Sequence, residues 1–316
     1  MNYSFKTFFK KIIEKYSFHR LLISISGGQD SLYLIEIIEA LKKNSILNNV
    51  TYIYIDHQWN IKSQKQIIQL SNYITQYKSQ LKIYQIAKHS LSEHNSRLYR
   101  YQILIHYAII NNYQCILTAH SETDKIETFL NNLIKGTSLD GATSLKLHRQ
   151  INQNLHILRP LIDINRISIN WLCRKLYLPI WSDYTNYNYY TPRNRIRNEL
   201  MPYLKKYFNL KTEKNFSKYI SICNEENEYI KQNIIKAYLK SRHKYLIAIN
   251  HKQIIKQHFI VQKRIIQLFI FHNCNIILNT DFIKQLIKLL SNKISQIIIK
   301  CQGISICINA KWLYIK

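Results

Sequence analysis

The sequence predicts an α/β protein, an open parallel sheet flanked by helices and followed by a smaller, mostly helical C-terminal domain. Three observations carry this. Up to residue 120, short runs of branched and aromatic residues alternate with segments of helical length. All four prolines, Pro160, Pro179, Pro192 and Pro202, fall between 160 and 202, where the chain also reads SDYTNYNYYTPRNR without a clear period. Beyond about residue 205, segments such as NEENEYIKQNIIKAYLK and HKQIIKQHFIVQKRIIQLFIFH have a helical look, and the last forty residues are mixed. The expected division is residues 1–190 as one domain, a basic connector at 191–209, and residues 210–316 as the second domain.

The elements follow in order. MNYSFKTFFKKIIEKY is basic and amphipathic, but it lacks Arg, contains Glu14 and leads directly toward the first strand, so it reads as a helix of the domain rather than a targeting segment. LLISIS (21–26), VTYIYID (50–56), LKIYQIA (81–87) and CILTAH (115–120) read as buried parallel strands. The helix-length segments 31–43, 61–78 and 95–112 lie between them and suit right-handed crossovers. Open sheets of this kind bind ligands beyond the carboxyl ends of their strands. The residues that stand there are Ser26 onward, Asp56 with His57, and His120.

Composition narrows the function classes. Lys and Arg number 45 against 18 Asp and Glu, a net charge of +27. Such an excess points to a polyanionic partner such as nucleic acid, the plainer alternative being a solvated basic surface. A hydrophobic content of 47% excludes a disordered chain. No run of about 18 apolar residues is present, so no membrane-spanning segment is expected. The six cysteines are scattered without a C-x-x-C pair, which suits neither a zinc site nor an iron–sulfur cluster. Heavy use of Asn, Ile, Lys and Tyr follows AT-rich codons and suggests a plastid-encoded stromal protein, or else a bacterial cytoplasmic one.

The densest signal is SGGQDS, residues 26–31. Two of only five glycines stand side by side here, between a strand and a helix. They let the backbone turn sharply and approach a ligand. The helix N-terminus behind them offers N–H groups and a positive dipole end, and the Ser26 and Ser31 hydroxyls add donors. Asp30 within an anion site makes sense if it holds a Mg²⁺ that bridges phosphate oxygens. The alternative is a tight turn with Asp or Ser as the helix cap. A second cluster follows the fourth strand. His120, Asp124 and Glu127 are spaced i, i+4 and i+7, which on a helix places them on one face.

SGGQDS resembles the pyrophosphate loop of the N-type ATP pyrophosphatase superfamily, which cleaves ATP between its α and β phosphates. TAHSETDKIETFLNNLIKGTSLDGATSL resembles the A-H-x-x-x-D-x-x-E-T segment of the tRNA(Ile)-lysidine synthetase family. His120, Asp124, Glu127 and Thr128 match; Thr123 replaces the family's usual second Asp. Gly136 and Gly141 match the family's following glycine turn, with Lys135 and Ala142 in place of its Arg and Leu. IDHQWN resembles its V-D-H-x-L-R, with Asn60 in place of Arg. SRLYRY keeps Arg97, Arg100 and Tyr101. RPLI and SDYTNYNYYTPRNRIRNELMP resemble its R-P-L-L and D-x-[ST]-N…R-N-x-[IL]-R…P. The likeness covers about residues 18 to 204.

The resemblance implies a Rossmann-like sheet of the ATP pyrophosphatase type and an ATP-dependent carbon–nitrogen ligase. ATP would contact Ser26, Gly27, Gly28, Gln29, Asp30, Ser31, Asp56, His57 and Arg97. Mg²⁺ would be held by Asp30 with Asp124. Asp30, Asp124, Glu127 and His120 would be catalytic, with Glu127 and His120 both open as the base. Arg193, Asn194, Arg195 and Arg197 would contact tRNA. The substrates would be free L-lysine and a tRNA(Ile) with a CAU anticodon. Lysine would join C2 of the wobble cytidine through an adenylated intermediate, giving lysidine and changing codon specificity from AUG to AUA. The alternatives are another tRNA-modifying enzyme of the superfamily, such as a thiolase, or an inactive basic RNA-binding protein.

Overall fold

Alternation of side chains along the strands builds the N-terminal sheet. In strand β1 (Arg20–Ile25), Leu21, Ile23 and Ile25 enter one apolar layer while Leu22 enters another. Strand β2 (Asn49–Asp56) divides in the same way, with Tyr52 and Tyr54 on the first side and Ile53 and Ile55 on the second. Burial on both faces is what a sheet sandwiched by helices requires. The computed structural model of the protein describes residues 2–43, 47, 49–56, 63–86, 93–181, 189, 191–291 and 296–315.

The sheet continues with β3 (Gln80–Gln85), β4 (Cys115–Thr118), β5 (His148–Gln150) and β6 (His156–Leu158), in the order β3-β2-β1-β4-β6-β5. All neighbours are parallel except the β5–β6 pair. The helices of the alternating pattern are α1 (Asn2–Tyr16), α2 (Gln29–Lys43), α3 (Ser63–Thr75) and α4 (Glu93–Ile110). The chain steps outward from β1 through β2 to β3, then returns to lay β4 on the other side of β1. This makes a topological switch point between β1 and β4, where a crevice opens at the strand ends.

Two expectations need correction here. LKIYQIA does not form a buried strand. β3 is the sheet edge, and Ile83 and Tyr84 are exposed on it. Its Lys82 is of the type that discourages pairing at a bare edge. The β5–β6 hairpin, too short and polar to show a strand period, was not expected at all.

After β4 come α5 (Glu122–Ile134), the short α6 (Leu139–Ala142) and α7 (Arg166–Lys175). Asn165 caps α7, its side-chain oxygen accepting from the Ile167 N–H. Helix α8 (Pro192–Arg195) runs into a π-helical turn (Ile196–Leu200) and then α9 (Met201–Tyr207). Pro202 explains the wide turn. It lacks an N–H and its ring crowds the preceding turn, and the Met201 N–H bonds back to the Ile196 carbonyl.

The chain divides into two compact units, residues 1–221 and 222–316, the division falling within helix α10 (Thr212–Ser241). The second unit contains β7 (Ala248–Asn250), α11 (His251–Ile255), α12 (Phe259–Cys274), α13 (Thr280–Ser291), β8 (Gln296–Cys301), β9 (Ile304–Asn309) and β10 (Trp312–Ile315). Its strands form an antiparallel sheet in the order β7-β10-β9-β8. Ile249, Ile306, Ile308 and Leu313 from the sheet pack with Ile265, Ile266, Phe269 and Ile283 from the helices. The mixed character of the last forty residues is therefore helix α13 followed by the three strands β8, β9 and β10. Gly303, at φ +82°, and Gln302, also at positive φ, form the two-residue turn between β8 and β9.

Candidate active site

The loop after β1 is held in shape by its neighbours. Gly27 has φ +75°, and a Cβ there would lie 2.7 Å from the Gln66 side-chain nitrogen. That nitrogen donates to the Ser26 carbonyl at 2.6 Å. The Gly27 carbonyl accepts from the Trp181 N–H at 3.2 Å, and the Gln29 carbonyl accepts from the Cys173 thiol at 3.4 Å. The Gly28 carbonyl starts the α2 hydrogen-bond ladder, accepting from the N–H groups of Ser31 and Leu32 at 3.1 Å each and from the Ser31 hydroxyl at 2.8 Å. The N–H groups ahead of Ser31 are those that a helix start leaves for a ligand.

A cleft of about 320 Å³ opens over this loop. One side is Ser26, Gly28, Gln29, Asp30 and Ser31; the other is Thr118, Ala119 and His120 from the end of β4. Arg100, Arg166, Arg193 and Arg197 complete the wall against two carboxylates, Asp30 and Asp124. The surplus of guanidinium groups beside a helix N-terminus suits a polyphosphate.

Asp30 is the unusual acid. Burial pushes its carboxyl up to about 6, Arg166 opposes the shift, and the Asp124 carboxylate adds to it. Its ion pair with Arg166 is long, 4.0 Å. A buried, weakly compensated carboxylate fits a divalent cation. Among the described residues no cluster of three or more His, Cys, Asp or Glu could hold a metal alone, so any cation here would take further oxygens from a phosphate. Asp124 is more fully engaged. Its Oδ2 accepts from the Ser121 N–H at 2.9 Å and the Ser121 hydroxyl at 3.0 Å; its Oδ1 meets Arg193 at 2.5 Å and Arg197 at 3.4 Å. Burial alone would raise its carboxyl, but Arg193, His120 and the Ser121 N–H outweigh burial and hold it well below the usual carboxylate range.

His120, Asp124 and Glu127 do not share one helical face. Ser121 is the N-cap of α5, so His120 precedes the helix and stands in the cleft wall. Its Nδ1 lies 2.9 Å from the Thr118 hydroxyl. Burial pushes the imidazole well below its ordinary value, and the neighbouring Arg159, Arg100 and Arg97 reinforce this against Asp124. The ring is therefore neutral at pH 7. Glu127, at 0% exposure, is not in the cleft lining; it lies behind Arg193 and Arg197. Arg193 Nε donates to its Oε2 at 2.8 Å; Arg197 donates from Nε to Oε1 at 2.5 Å and from Nη2 to Oε2 at 2.9 Å. Glu127 and Asp124 together fix two guanidinium groups over the cleft.

The arginine–asparagine segment divides by periodicity. Arg193, Asn194 and Arg197 line the cleft, whereas Arg195 points away to Glu199 at 2.9 Å. Asp56, at the end of β2, is buried and accepts from the Ser63 hydroxyl at 3.2 Å; it does not line the cleft. Arg97 packs its guanidinium 6.0 Å from the Tyr101 ring and also stands outside the lining. His57 lies outside the described residues.

Three residues that shape the site have roles that the sequence does not disclose. Arg166 stands at the start of α7, and no local pattern marks it. Gln66 acts across 40 residues of sequence. Arg159, in RPLI, is buried and donates to the Lys146 carbonyl at 2.8 Å and to the Tyr101 hydroxyl at 3.5 Å. The motif flagged Arg159, but only the fold supplies its contacts. One missed local signal was legible: S-x-x-D at 121–124 is a helix-start pattern, and Asp124 does reach back to the Ser121 N–H.

Residues 1–204 match the family model for the PP-loop domain. The chloroplastic tRNA(Ile)-lysidine synthase of Gracilaria tenuistipitata var. liui is 45% identical over 309 residues, covering 98% of this chain and 95% of its own length. The chloroplastic tRNA(Ile)-lysidine synthase of Pyropia yezoensis is 36% identical over 296 residues, covering 93% and 89%. A solved U34-tRNA thiolase from Methanococcus maripaludis shares the fold alone, with a TM-score of 0.56 and 17% identity over 71% of this chain and 80% of its own. The chloroplastic relatives support a plastid location. The loop, the arginine-walled cleft and these matches agree: the chain belongs to the tRNA(Ile)-lysidine synthase family of PP-loop, ATP-dependent ligases.

Proposed function

We propose that this protein uses ATP to join L-lysine to C2 of the wobble cytidine of a CAU-anticodon tRNA(Ile), forming lysidine and changing the codon read from AUG to AUA. The observation that carries the reading is the cleft itself. Gly28 and the N-terminus of α2 share the cleft wall with Arg100, Arg166, Arg193 and Arg197, and with Asp30, while Gly27 supplies the turn beneath it. Residues 26–31 would cradle the phosphates. Asp30 would hold Mg²⁺, joined by Asp124 if that carboxylate exchanges an arginine for the ion. Bound there, Mg²⁺ would offset negative charge on the phosphate oxygens.

The steps are as follows. The cytidine O2 attacks the α-phosphorus, an O–P bond forms, the bond to the β-phosphate bridge breaks, and pyrophosphate leaves. Arg193 and Arg197, fixed by Glu127 and Asp124, stabilise the charge that develops. The lysine ε-nitrogen then attacks C2, the C2–O bond breaks, and AMP departs. The attacking ammonium must lose a proton, its ordinary pKa being about 10.4. His120 is the acceptor favoured by geometry, because it lines the cleft while Glu127 is enclosed by two arginines. Residues 210–316 would supply further tRNA contacts, with 191–209 as the basic connector.

The test is incorporation of radiolabelled lysine into a CAU-anticodon tRNA(Ile) transcript. Incorporation should require both ATP and the wobble cytidine, with a wobble-uridine transcript inert. Pyrophosphate release without lysine incorporation would refute the lysine assignment and retain only the ATP chemistry.

A further inference from the structure

A second cavity, of about 660 Å³, adjoins the first and shares Gln29, Arg166 and Arg197 with it. Its far wall is one face of α7, where Ile167, Asn170, Trp171 and Arg174 recur at helical spacing. Met201 and Pro202 floor it, and Lys205 borders it. Trp171 is 60% exposed although it is the largest side chain there, and the Lys175 ammonium lies 5.2 Å from its ring.

The charges select the occupant. Arg166, Arg174, Arg197 and Lys205 face one carboxylate, Glu213, which Lys205 already pairs at 2.5 Å and which also accepts from Asn165 at 2.8 Å. A cationic amino acid has no acid to meet here. A flat apolar surface ringed by cations, next to a phosphate cleft, matches an unpaired nucleotide. We infer that this cavity takes one unpaired nucleotide of the RNA substrate, its base stacked on Trp171 and its phosphate on Arg174. This rests on the reading of RNA as the substrate. It places the RNA loop beside the phosphates of ATP, where the attacking base must arrive.

The experiment measures affinity of the full chain for an RNA stem-loop carrying the CAU anticodon, and for a blunt RNA duplex that offers phosphates but no unpaired base. Trp171→Ala should weaken stem-loop binding about tenfold and leave duplex and ATP affinity unchanged. Trp171→Phe should restore most of the loss, which separates stacking from misfolding. Arg174→Ala should weaken both RNAs. If Trp171→Ala binds the stem-loop like the wild type, the inference is wrong. It is equally wrong if the variant loses ATP affinity instead, since the cavity would then serve ATP. If the wild-type chain binds neither RNA, the reading of RNA as substrate fails together with it.

Discussion

Asp30 shows how one residue is set against stability. An aspartate whose folded pKa is raised from 3.8 to about 6 is favoured in its protonated form when folded. Its contribution to stability is therefore present below pH 3.8 and lost as pH rises through about 6, a difference of about 3 kcal/mol between those limits. Asp30→Asn should raise the melting temperature at pH 8 while changing it little at pH 4, and should abolish pyrophosphate release with tRNA affinity kept. Thermal melts at the two pH values check the first claim. Loss of tRNA binding with intact ATP turnover would contradict the role given to Asp30. The type and place of this residue were legible in SGGQDS, but its raised pKa was not. That shift comes from burial and from Asp124, which lies 94 positions away in sequence.

At the scale of elements, the segment 191–207 turns sequence period into chemistry. Arg193 and Arg197 are four apart and reach the same two carboxylates, while Arg195 falls on the other side. Arg193→Ala and Arg197→Ala should each lower the rate of pyrophosphate release at least a hundredfold, the order expected for loss of a charge-stabilising donor. Arg195→Ala should change it less than about threefold, since its exposed pair with Glu199 is of the weak surface kind. Single-turnover kinetics with the three variants decide this; equal losses would mean that Arg195 also enters the site. The i, i+4 rule was available from the sequence, whereas the acids that receive these arginines were not. For His120 the same kind of counting misled, because the spacing ignored the helix start at Ser121.

The whole molecule carries +27 charges. If tRNA binding rests on phosphate contacts, affinity should fall at least tenfold between 50 and 200 mM salt, because each neutralised phosphate releases counterions. Filter binding across that range tests it, and a flat response would assign the charge to general solubility instead. ATP binding, within a small cleft of fixed arginines, should respond less.

The sequence by itself determined the alternating order of strands and helices, the phosphate loop and the residue types that surround it. It could do so because glycine-limited turns and buried strands constrain neighbouring residues directly. The tertiary structure decided which side chains meet. It made β3 an edge and formed the final strands into an antiparallel sheet. It also set Glu127 behind the arginines rather than in the cleft, and brought Gln66 and Arg166 to the loop. Those pairings join positions far apart in the chain, where local propensity carries no information and only the packing of the sheet and its helices fixes the partner.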